Sequence, residues 1–278
     1  MSVPVKKAVI VAAGCGTRFL PITKSVPKEM LPILSKPLIQ YIVDEITASD
    51  ICDVIFVIAR GKEIIPDYFL PAPQLEAFLE NKGDKAGLEE LRSVPRATRF
   101  SRVYQTAPLG LGHAVAAVRD AVGDEPFAVI LPDDIIDSAF PVLRHMLYVY
   151  EKYPGNILLV EECGPEETNR YGIIDPDIIE KGIYRVKDLV EKPRPEEAPS
   201  RLAIVGRYIL MPGIFDAILR TKPGKNGEIQ LTDALRLLVK TQPVFACKFE
   251  GTRYDTGNPE GWLKANLAWA AKAGFKIS

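Results

Sequence analysis

Two glycines and three basic residues near the N-terminus have the types and spacing of a phosphate-binding loop. Gly14 and Gly16 follow an apolar run, and Arg18, Lys24 and Lys28 come shortly after them. Glycine lets the backbone turn tightly, so that its N–H groups can point toward one anion. The basic side chains would then supply the charge that phosphate groups attract. The alternative interpretation is an ordinary strand-to-loop turn with solvated lysines.

The loop matches neither of the two common glycine motifs for nucleotides. A dinucleotide-binding loop reads G-x-G-x-x-G, but Phe19 occupies the place of the third glycine. A Walker A loop needs four residues between its glycines, followed by Gly-Lys-Ser/Thr, and the sequence contains no such run. The segment continues through Pro21, Pro27 and Pro32, which discourage an uninterrupted helix. We therefore expect a long loop that can wrap around a ligand.

Carboxylates follow two other predicted strands. Asp133 and Asp134 come directly after the apolar run 127–132, and Asp255 lies beyond a strand candidate at 244–249. Mg²⁺ is typically held by one or two carboxylates together with substrate phosphates. The three residues are therefore candidates for a magnesium site. A pair of aspartates after a strand is equally typical of a turn or a helix N-cap.

The chain alternates between apolar, strand-like runs and helix-like segments, which is typical of βαβ units. This pattern predicts an α/β fold with a Rossmann-like, mostly parallel sheet flanked by helices. In such a fold the ligand crevice opens at the carboxyl ends of the strands. The strand-like runs are 8–13, 53–59, 127–132 and 156–161, and the helix-like segments are 37–49, 111–122 and 140–152.

Two regions depart from this alternation. Residues 68–98 contain helix-prone pieces at 74–81 and 85–92, which predict a helical insertion. Beyond about residue 171 the strand candidates become shorter, which predicts an antiparallel addition beside the main sheet. These later elements are strand candidates at 171–175, 183–191 and 202–211, followed by helices at 228–241 and 259–273.

Composition narrows the class of protein. The 278 residues are 47% hydrophobic and carry a net charge of −1. The chain can bury the core of one main domain, and no global basic field favours nucleic acid or an anionic membrane. Four scattered cysteines without a C-x-x-C pair, and two histidines, predict neither a disulfide framework nor a zinc site. With no signal-peptide pattern and no apolar run of membrane-spanning length, we expect a cytoplasmic protein.

The glycine loop and the motifs that follow it resemble one enzyme family along nearly the whole chain. The sequence is similar to the bacterial UTP–glucose-1-phosphate uridylyltransferases, which belong to the sugar-nucleotide pyrophosphorylases. Departures are small, with Val11 and Cys15 replacing residues that are commonly Pro and Leu. The motifs that carry the resemblance are Gly14–Arg18, Leu20-Pro21, Thr23-Lys24, Pro27–Pro32, Leu131–Asp134, Tyr171-Gly172, Val190–Pro193, Gly227–Ala234 and Tyr254–Asn258.

The resemblance implies a glycosyltransferase-A-like nucleotidyltransferase that converts UTP and glucose 1-phosphate to UDP-glucose and diphosphate with Mg²⁺. It implies a single domain over 1–278, with a nucleotide-binding part at about 1–165 and a sugar-binding and oligomerisation part at about 166–278. We expect the protein to form a homodimer or homotetramer. Trp262, Leu267 and Trp269 in the last helix are candidates for a subunit contact.

The resemblance also assigns site residues. Gln105 can both donate and accept hydrogen bonds, so with nearby backbone groups it could recognise the edge of uracil. Asp134 has a weaker claim to the metal than its neighbour, because adjacent acids can simply orient the loop. The nucleotide-binding residues are Ala12, Ala13, Gly14, Gly16, Thr17, Arg18, Lys28, Gln105 and Gly110; the sugar-binding residues are Gly172, Glu191 and Lys192; the metal ligands are Asp133 and Asp255; the catalytic residues are Arg18, Lys28, Asp133, Lys192 and Asp255.

Two other functions stay open at the level of sequence. A glucose-1-phosphate thymidylyltransferase shares the chemistry and differs by accepting a methyl group on the base. A non-catalytic sensor of nucleotide sugars could have kept the pocket without turnover. The intact Arg18, Lys28, Asp133, Lys192 and Asp255 argue against the sensor.

Overall fold

The computed structural model describes residues 2–95, 99–224 and 227–276. Its strands are β1 (Lys7–Ala12), β2 (Pro32–Ile33), β3 (Lys36–Pro37), β4 (Asp53–Ile58), β5 (Arg99–Tyr104), β6 (Phe127–Ile130), β7 (Asp134–Asp137), β8 (Asn156–Glu162), β9 (Gly172–Glu180), β10 (Ile183–Glu191), β11 (Leu202–Leu210), β12 (Val244–Lys248) and β13 (Thr252–Asp255). Its α-helices are α1 (Leu38–Thr47), α2 (Ile64–Asp67), α3 (Pro73–Lys82), α4 (Lys85–Arg92), α5 (Gly110–Ala116), α6 (Arg119–Val122), α7 (Val142–Lys152), α8 (Gly213–Arg220), α9 (Leu231–Leu238) and α10 (Pro259–Lys272).

Nine strands form one mixed sheet in the order β5-β4-β1-β6-β11-β8-β12-β10-β9. The first four of these are parallel neighbours, which confirms the predicted Rossmann-like arrangement. Side chains of a strand alternate between the two faces of the sheet. In β1, Ile10 joins the core cluster that includes α1 and α7, whereas Val9 joins the cluster that includes α5, α8 and α9. Helices therefore cover the sheet on both faces.

The sequence predicts an antiparallel addition beside the main sheet, but the structure places one antiparallel strand inside the sheet. Strand β11 lies between β6 and β8 and runs antiparallel to both, while β12 runs parallel to β8. All residues of β11 except Leu202 are buried. A strand that is apolar on both faces needs cover on both, and an interior position in a helix-covered sheet provides it.

Four predicted boundaries differ in the structure, and the first is the strand expected at 171–175, which extends to Glu180 as β9. The helix expected at 228–241 begins at Leu231, because Ile229 exchanges backbone hydrogen bonds with Leu109 and Gly112, both 2.8 Å long. The helix expected at 111–122 is divided into α5 and α6. Asp255 was expected just beyond the strand predicted at 244–249. That strand forms as β12, but Asp255 does not follow it directly. It ends a separate short strand, β13, that pairs with β7.

The predicted helical insertion is present as α3 and α4 within 68–95, and its last residues, 96–98, lie outside the described residues. The last helix, α10, packs through Trp262 on Phe19 and through Trp269 on Tyr41 and Tyr254. In the described ranges we find no helix with the length and apolarity needed to cross a membrane.

Candidate active site

A cleft of about 930 Å³ opens beside the carboxyl ends of β1 and β6. Residues from widely separated motifs line it, and they include six of the residues singled out in the sequence: Arg18, Asp133, Gly172, Glu191, Lys192 and Asp255. Lys28 reaches the same place through Asp133, because its Nζ lies 2.7 Å from Asp133 Oδ2. The folded chain thus brings the predicted cationic and acidic groups into one region.

The two predicted metal ligands face a common point. Asp255 pairs with Asp134 in the β13–β7 ladder, and the Thr256 N–H donates to the carbonyl of Asp133 over 2.7 Å. These contacts hold the two segments side by side. A Cβ built on Gly257 would lie 2.9 Å from Asp133 Oδ2 and 3.1 Å from Asp255 Oδ1. Only glycine leaves this space between the carboxylates open.

The donor set suits a hard divalent cation that shares its coordination with substrate. No group of three or more His, Cys, Asp or Glu side chains able to hold a metal occurs in the described part of the chain. Mg²⁺ is commonly held by one or two carboxylates while waters and substrate phosphates complete its octahedron. Asp133 and Asp255 therefore fit Mg²⁺ and do not form an all-protein cage.

Both carboxylates are already paired with protein cations. Asp133 accepts from Lys28, and Asp255 Oδ2 lies 3.3 Å from a guanidinium nitrogen of Arg170. Burial acts to raise the pKa of Asp133, but Lys28 and Arg18 outweigh it and hold that pKa below its usual value. Burial acts to lower the pKa of Lys28, and Asp133 and Glu29 outweigh it in turn, so the pKa is raised. The Lys28–Asp133 pair is therefore ionised at neutral pH.

Asp134 points away from this pair and serves the structure around it. One of its oxygens accepts from Arg253 over 2.6 Å and the other accepts from the Gly206 N–H over 3.1 Å. Burial raises the pKa of Asp134, whereas Arg253 acts in the opposite direction. Arg253 also bonds Glu161 and the hydroxyl of Tyr171. This network links β7, β8 and β13 to Tyr171, which directly precedes β9, and no motif in the sequence marked Arg253.

The glycine loop exposes unpaired donors. The backbone N–H groups of Gly14, Cys15 and Gly16 donate no hydrogen bond within the described residues. Gly16 has a φ of 66°, a conformation that favours glycine, and its carbonyl accepts from the Thr23 hydroxyl over 2.8 Å. Such a run of free N–H groups beside basic side chains is suited to an anion.

A further lysine, which no motif in the sequence marks, binds the backbone of this loop. Lys62 Nζ donates to the carbonyls of Ala12 and Gly14 over 2.9 and 2.6 Å, and it contacts both oxygens of the buried Glu29. Lys62 follows Gly61 just after β4. Two features of the sequence could have indicated its role. Lys62 follows a parallel strand, and an acid, Glu29, lies near apolar residues in the preceding loop.

Gln105 lies at the end of β5, beside the turn that begins α5. Its Nε2 donates to the carbonyl of Gly110 over 3.1 Å and lies 3.1 Å from His113 Nδ1. Gly110 has a φ of 93°, and a Cβ there would come within 2.8 Å of the carbonyl oxygen of Ile229. The turn therefore requires glycine for both conformation and space, and it fixes the Gln105 amide.

The predicted sugar-binding residues Gly172, Glu191 and Lys192 line the same cleft. A Cβ on Gly172 would lie 2.8 Å from Thr232 Oγ1 and 3.2 Å from Glu191 Oε2. Adjacent residues of a regular strand, such as Glu191 and Lys192, would lie on opposite faces unless the backbone bends. Lys192 has a φ of 47°, and its Nζ lies 3.3 Å from Glu191 Oε1. The bend places both side chains on the same cleft, at a backbone conformation that is uncommon for a residue with a Cβ.

Comparisons with known proteins agree with the resemblance seen in the sequence. The family model described as nucleotidyl transferase matches residues 7–272. A UTP–glucose-1-phosphate uridylyltransferase of Bacillus subtilis (strain 168) is 48% identical over 266 residues, which are 96% of this chain and 91% of the relative. One of Pseudomonas aeruginosa is 46% identical, over 94% of each chain.

Solved structures give the same result. A UDP-glucose pyrophosphorylase complexed with UDP-glucose superimposes with a TM-score of 0.88 at 46% identity, over 96% of this chain and 99% of that one. The UTP-bound UGPase of Acinetobacter baumannii gives a TM-score of 0.89 at 36% identity, over 96% and 94%. The chain therefore belongs to the nucleotidyl transferase family, among the bacterial UTP–glucose-1-phosphate uridylyltransferases.

Proposed function

We propose that the chain joins UTP and glucose 1-phosphate to give UDP-glucose and diphosphate. The observation that carries this proposal is the convergence of Arg18, the Lys28–Asp133 pair, Asp255 and Lys192 on one cleft. The family of the chain gives the reaction class. An oxygen of the sugar phosphate attacks the α-phosphorus of UTP, the α–β bridging P–O bond breaks, and diphosphate departs.

The main obstacle to this reaction is electrostatic, because two polyanions must meet in line. No protein nucleophile is needed, so positioning and charge stabilisation dominate the catalysis. Lys192 holds the sugar phosphate, while Arg18 and Lys28 hold the diphosphate side. Mg²⁺, when held by Asp133 and Asp255, supplies further neutralisation of the phosphate oxygens.

The free N–H groups of the glycine loop receive the phosphates, with Gly14, Gly16 and Thr17 nearest to them. Gln105, Gly110 and the backbone at Ala12 and Ala13 recognise the uracil edge. At the other end, Glu191 accepts from the hydroxyls of the hexose, and Gly172 allows the ring to approach closely.

A matrix of nucleoside triphosphates against sugar 1-phosphates tests this function, with diphosphate release as the readout. We expect the highest kcat/KM for UTP with glucose 1-phosphate in the presence of Mg²⁺. Higher kcat/KM for dTTP would make the chain a thymidylyltransferase, and UDP-glucose binding without turnover would make it a sensor.

In the same matrix, Gln105→Ala should lower the preference for UTP over CTP, since the base edge would lose a partner.

The proposal extends to the cellular location and the oligomeric state of the enzyme. The reaction consumes dissolved metabolites, so the cytoplasm is the proposed location. We propose a homodimer or homotetramer, and light scattering on the purified chain measures its mass in solution. Leu263 and Leu267 are 53% and 43% exposed on α10 and offer an apolar contact for a second copy. A monomeric mass at micromolar concentration would contradict this part of the proposal.

A further inference from the structure

One fully buried arginine lies behind the catalytic cleft without reaching it. Arg207 is in β11, and no part of its side chain is exposed. Its guanidinium carries five N–H donors. Two of them bond Glu45, and the others bond the carbonyl oxygens of Leu131, Gly206 and Asp134 over 3.1, 3.0 and 2.9 Å. Every donor of Arg207 therefore has an acceptor inside the protein.

These acceptors enclose the turn that carries a proposed metal ligand. Leu131 and Asp134 are the first and last residues of the turn that contains Asp133, and Arg207 binds the carbonyl of each. The Leu131 N–H donates to Gly206 over 2.8 Å, and the Gly206 N–H donates to the Asp134 carboxylate. A Cβ on Gly206 would lie 2.7 Å from Leu131 Cβ and 2.8 Å from Asp134 Oδ2. The turn is thus held tightly against β11.

The counter-ion of Arg207 comes from a different element. Glu45 in α1 contacts Arg207 Nε and Nη2 at distances from 2.7 to 3.2 Å, and its side chain is 13% exposed. A buried ion pair is weak evidence for stability, because apolar residues of similar volume often stabilise a core equally well. Three precisely directed bonds to carbonyls, in contrast, cannot be made by an apolar side chain.

We propose that Arg207 is a positioning residue that sets the direction of Asp133 through the carbonyls of the turn, with Glu45 serving only to balance its charge. Partners that orient a metal ligand commonly change metal affinity or activity by about 10- to 100-fold when they are removed. The proposal deepens the proposed function and rests on it for its kinetic readout.

The experiment compares Arg207→Lys with Glu45→Gln. Lysine keeps the charge beside Glu45 but cannot reach all three carbonyls, whereas Glu45→Gln leaves the donors to the carbonyls unchanged. We expect Arg207→Lys to lower kcat and raise the Mg²⁺ concentration for half-maximal activity, each by about tenfold or more. Glu45→Gln should lose thermal stability yet keep both values near those of the wild type.

Hydrogen exchange of the peptide that covers 131–137 gives a readout independent of turnover. It should be faster in Arg207→Lys than in the wild type, and unchanged in Glu45→Gln.

If Arg207→Lys does not fold, the paired change Arg207→Met with Glu45→Met removes both charges at similar volume and should show the same faster exchange. Unchanged exchange and Mg²⁺ dependence in a folded Arg207 variant would overturn the proposal, as would failure of both Arg207 variants to fold. Absence of UTP turnover in the wild type would refute the proposed function while leaving the exchange comparison intact.

Discussion

Three cations at the cleft are paired with carboxylates before any substrate is considered, whereas Arg18 donates to the carbonyl of Gly257 over 3.2 Å. Lys28 is paired with Asp133, Arg170 with Asp255, and Lys192 with Glu191. Pairing reduces the cost of holding like charges close together in a partly buried site. Because pairs at the rim keep access to water, their cations can exchange a carboxylate for a phosphate at modest cost. At the scale of single residues, much of the charge in the site is therefore balanced in advance.

Lys192 offers the most direct test at this scale. Replacing it with alanine should reduce kcat/KM by a factor of about 100 to 1,000, which corresponds to the loss of one preorganised donor to the transition state. Steady-state kinetics with both substrates measures the change. Lys187→Ala is a matched control, because Lys187 lies on β10, the strand that ends just before Lys192, and pairs with the surface residues Asp175 and Asp177. Near-normal turnover by Lys192→Ala would remove this residue from the mechanism.

Lys62 should affect both stability and nucleotide binding. Lys62→Met leaves Glu29, which is 1% exposed, without its cation. Breaking a buried pair in this way costs about 3 kcal/mol or more of the free energy of unfolding. Urea denaturation measures that loss, and Glu29→Gln in the same variant should recover part of it. The Kd for UTP should rise as well, because the carbonyls of Ala12 and Gly14 lose their donor.

The matched control for Lys62 is Lys24→Met. Lys24 is exposed in the same loop, and its side chain makes no hydrogen bond or ion pair within the described residues. Its replacement should leave the free energy of unfolding unchanged. Equal stability losses in the two variants would mean that the Glu29–Lys62 pair is not what holds the loop.

At the scale of elements, local patterns in the sequence were sufficient where an element depends on its own periodicity. The strands β1, β4, β6 and β8 and the helices α1, α3, α4, α7 and α10 lie close to their predicted positions. The position of β11 in the middle of the sheet could not be predicted, because it depends on pairing with strands 40 to 80 residues away. The extended segment before α9 likewise depends on two glycines, Gly110 and Gly112, that allow it to dock.

The same distinction explains what was predicted of the site. Motif residues such as Arg18, Asp133 and Lys192 were identified because short runs of sequence mark them, and the structure brings them to one cleft. Lys62 and Arg253 were missed because their partners are distant in sequence and neither belongs to a recognisable run. Their importance is visible only when the acceptors around them are known.

A single methyl group added at Gly14 tests whether the glycine loop binds phosphate. A Cβ on Gly14 meets nothing within 4 Å, and Gly14 does not have a positive φ. Gly14→Ala should therefore leave the melting temperature unchanged. If phosphates approach the backbone here as proposed, the methyl group should raise the KM for UTP about tenfold while the KM for glucose 1-phosphate stays constant. An unchanged KM for UTP would show that the phosphates bind elsewhere.

At the scale of the whole molecule, the sheet separates two large apolar clusters and buries most residues of its central strands. Cys247 lies in β12 between β8 and β10 and is fully buried, and Cys163 is also buried. Cys15 and Cys52 are exposed. Labelling of the two exposed thiols therefore measures access at the surface, whereas labelling of the two buried thiols requires the structure around them to open.

Thiol labelling should separate these two events. Burial raises the pKa of Cys247 to about 12, so at pH 8 only about one molecule in ten thousand carries the reactive thiolate there. We expect a maleimide or disulfide reagent to modify two thiols rapidly in the native protein and all four after denaturation. UTP should slow the labelling of Cys15 and not that of Cys52, because Cys15 lies between the two glycines of the proposed phosphate loop. Rapid modification of Cys247 in the native state would mean that the sheet opens far more readily than a core buried on both faces allows.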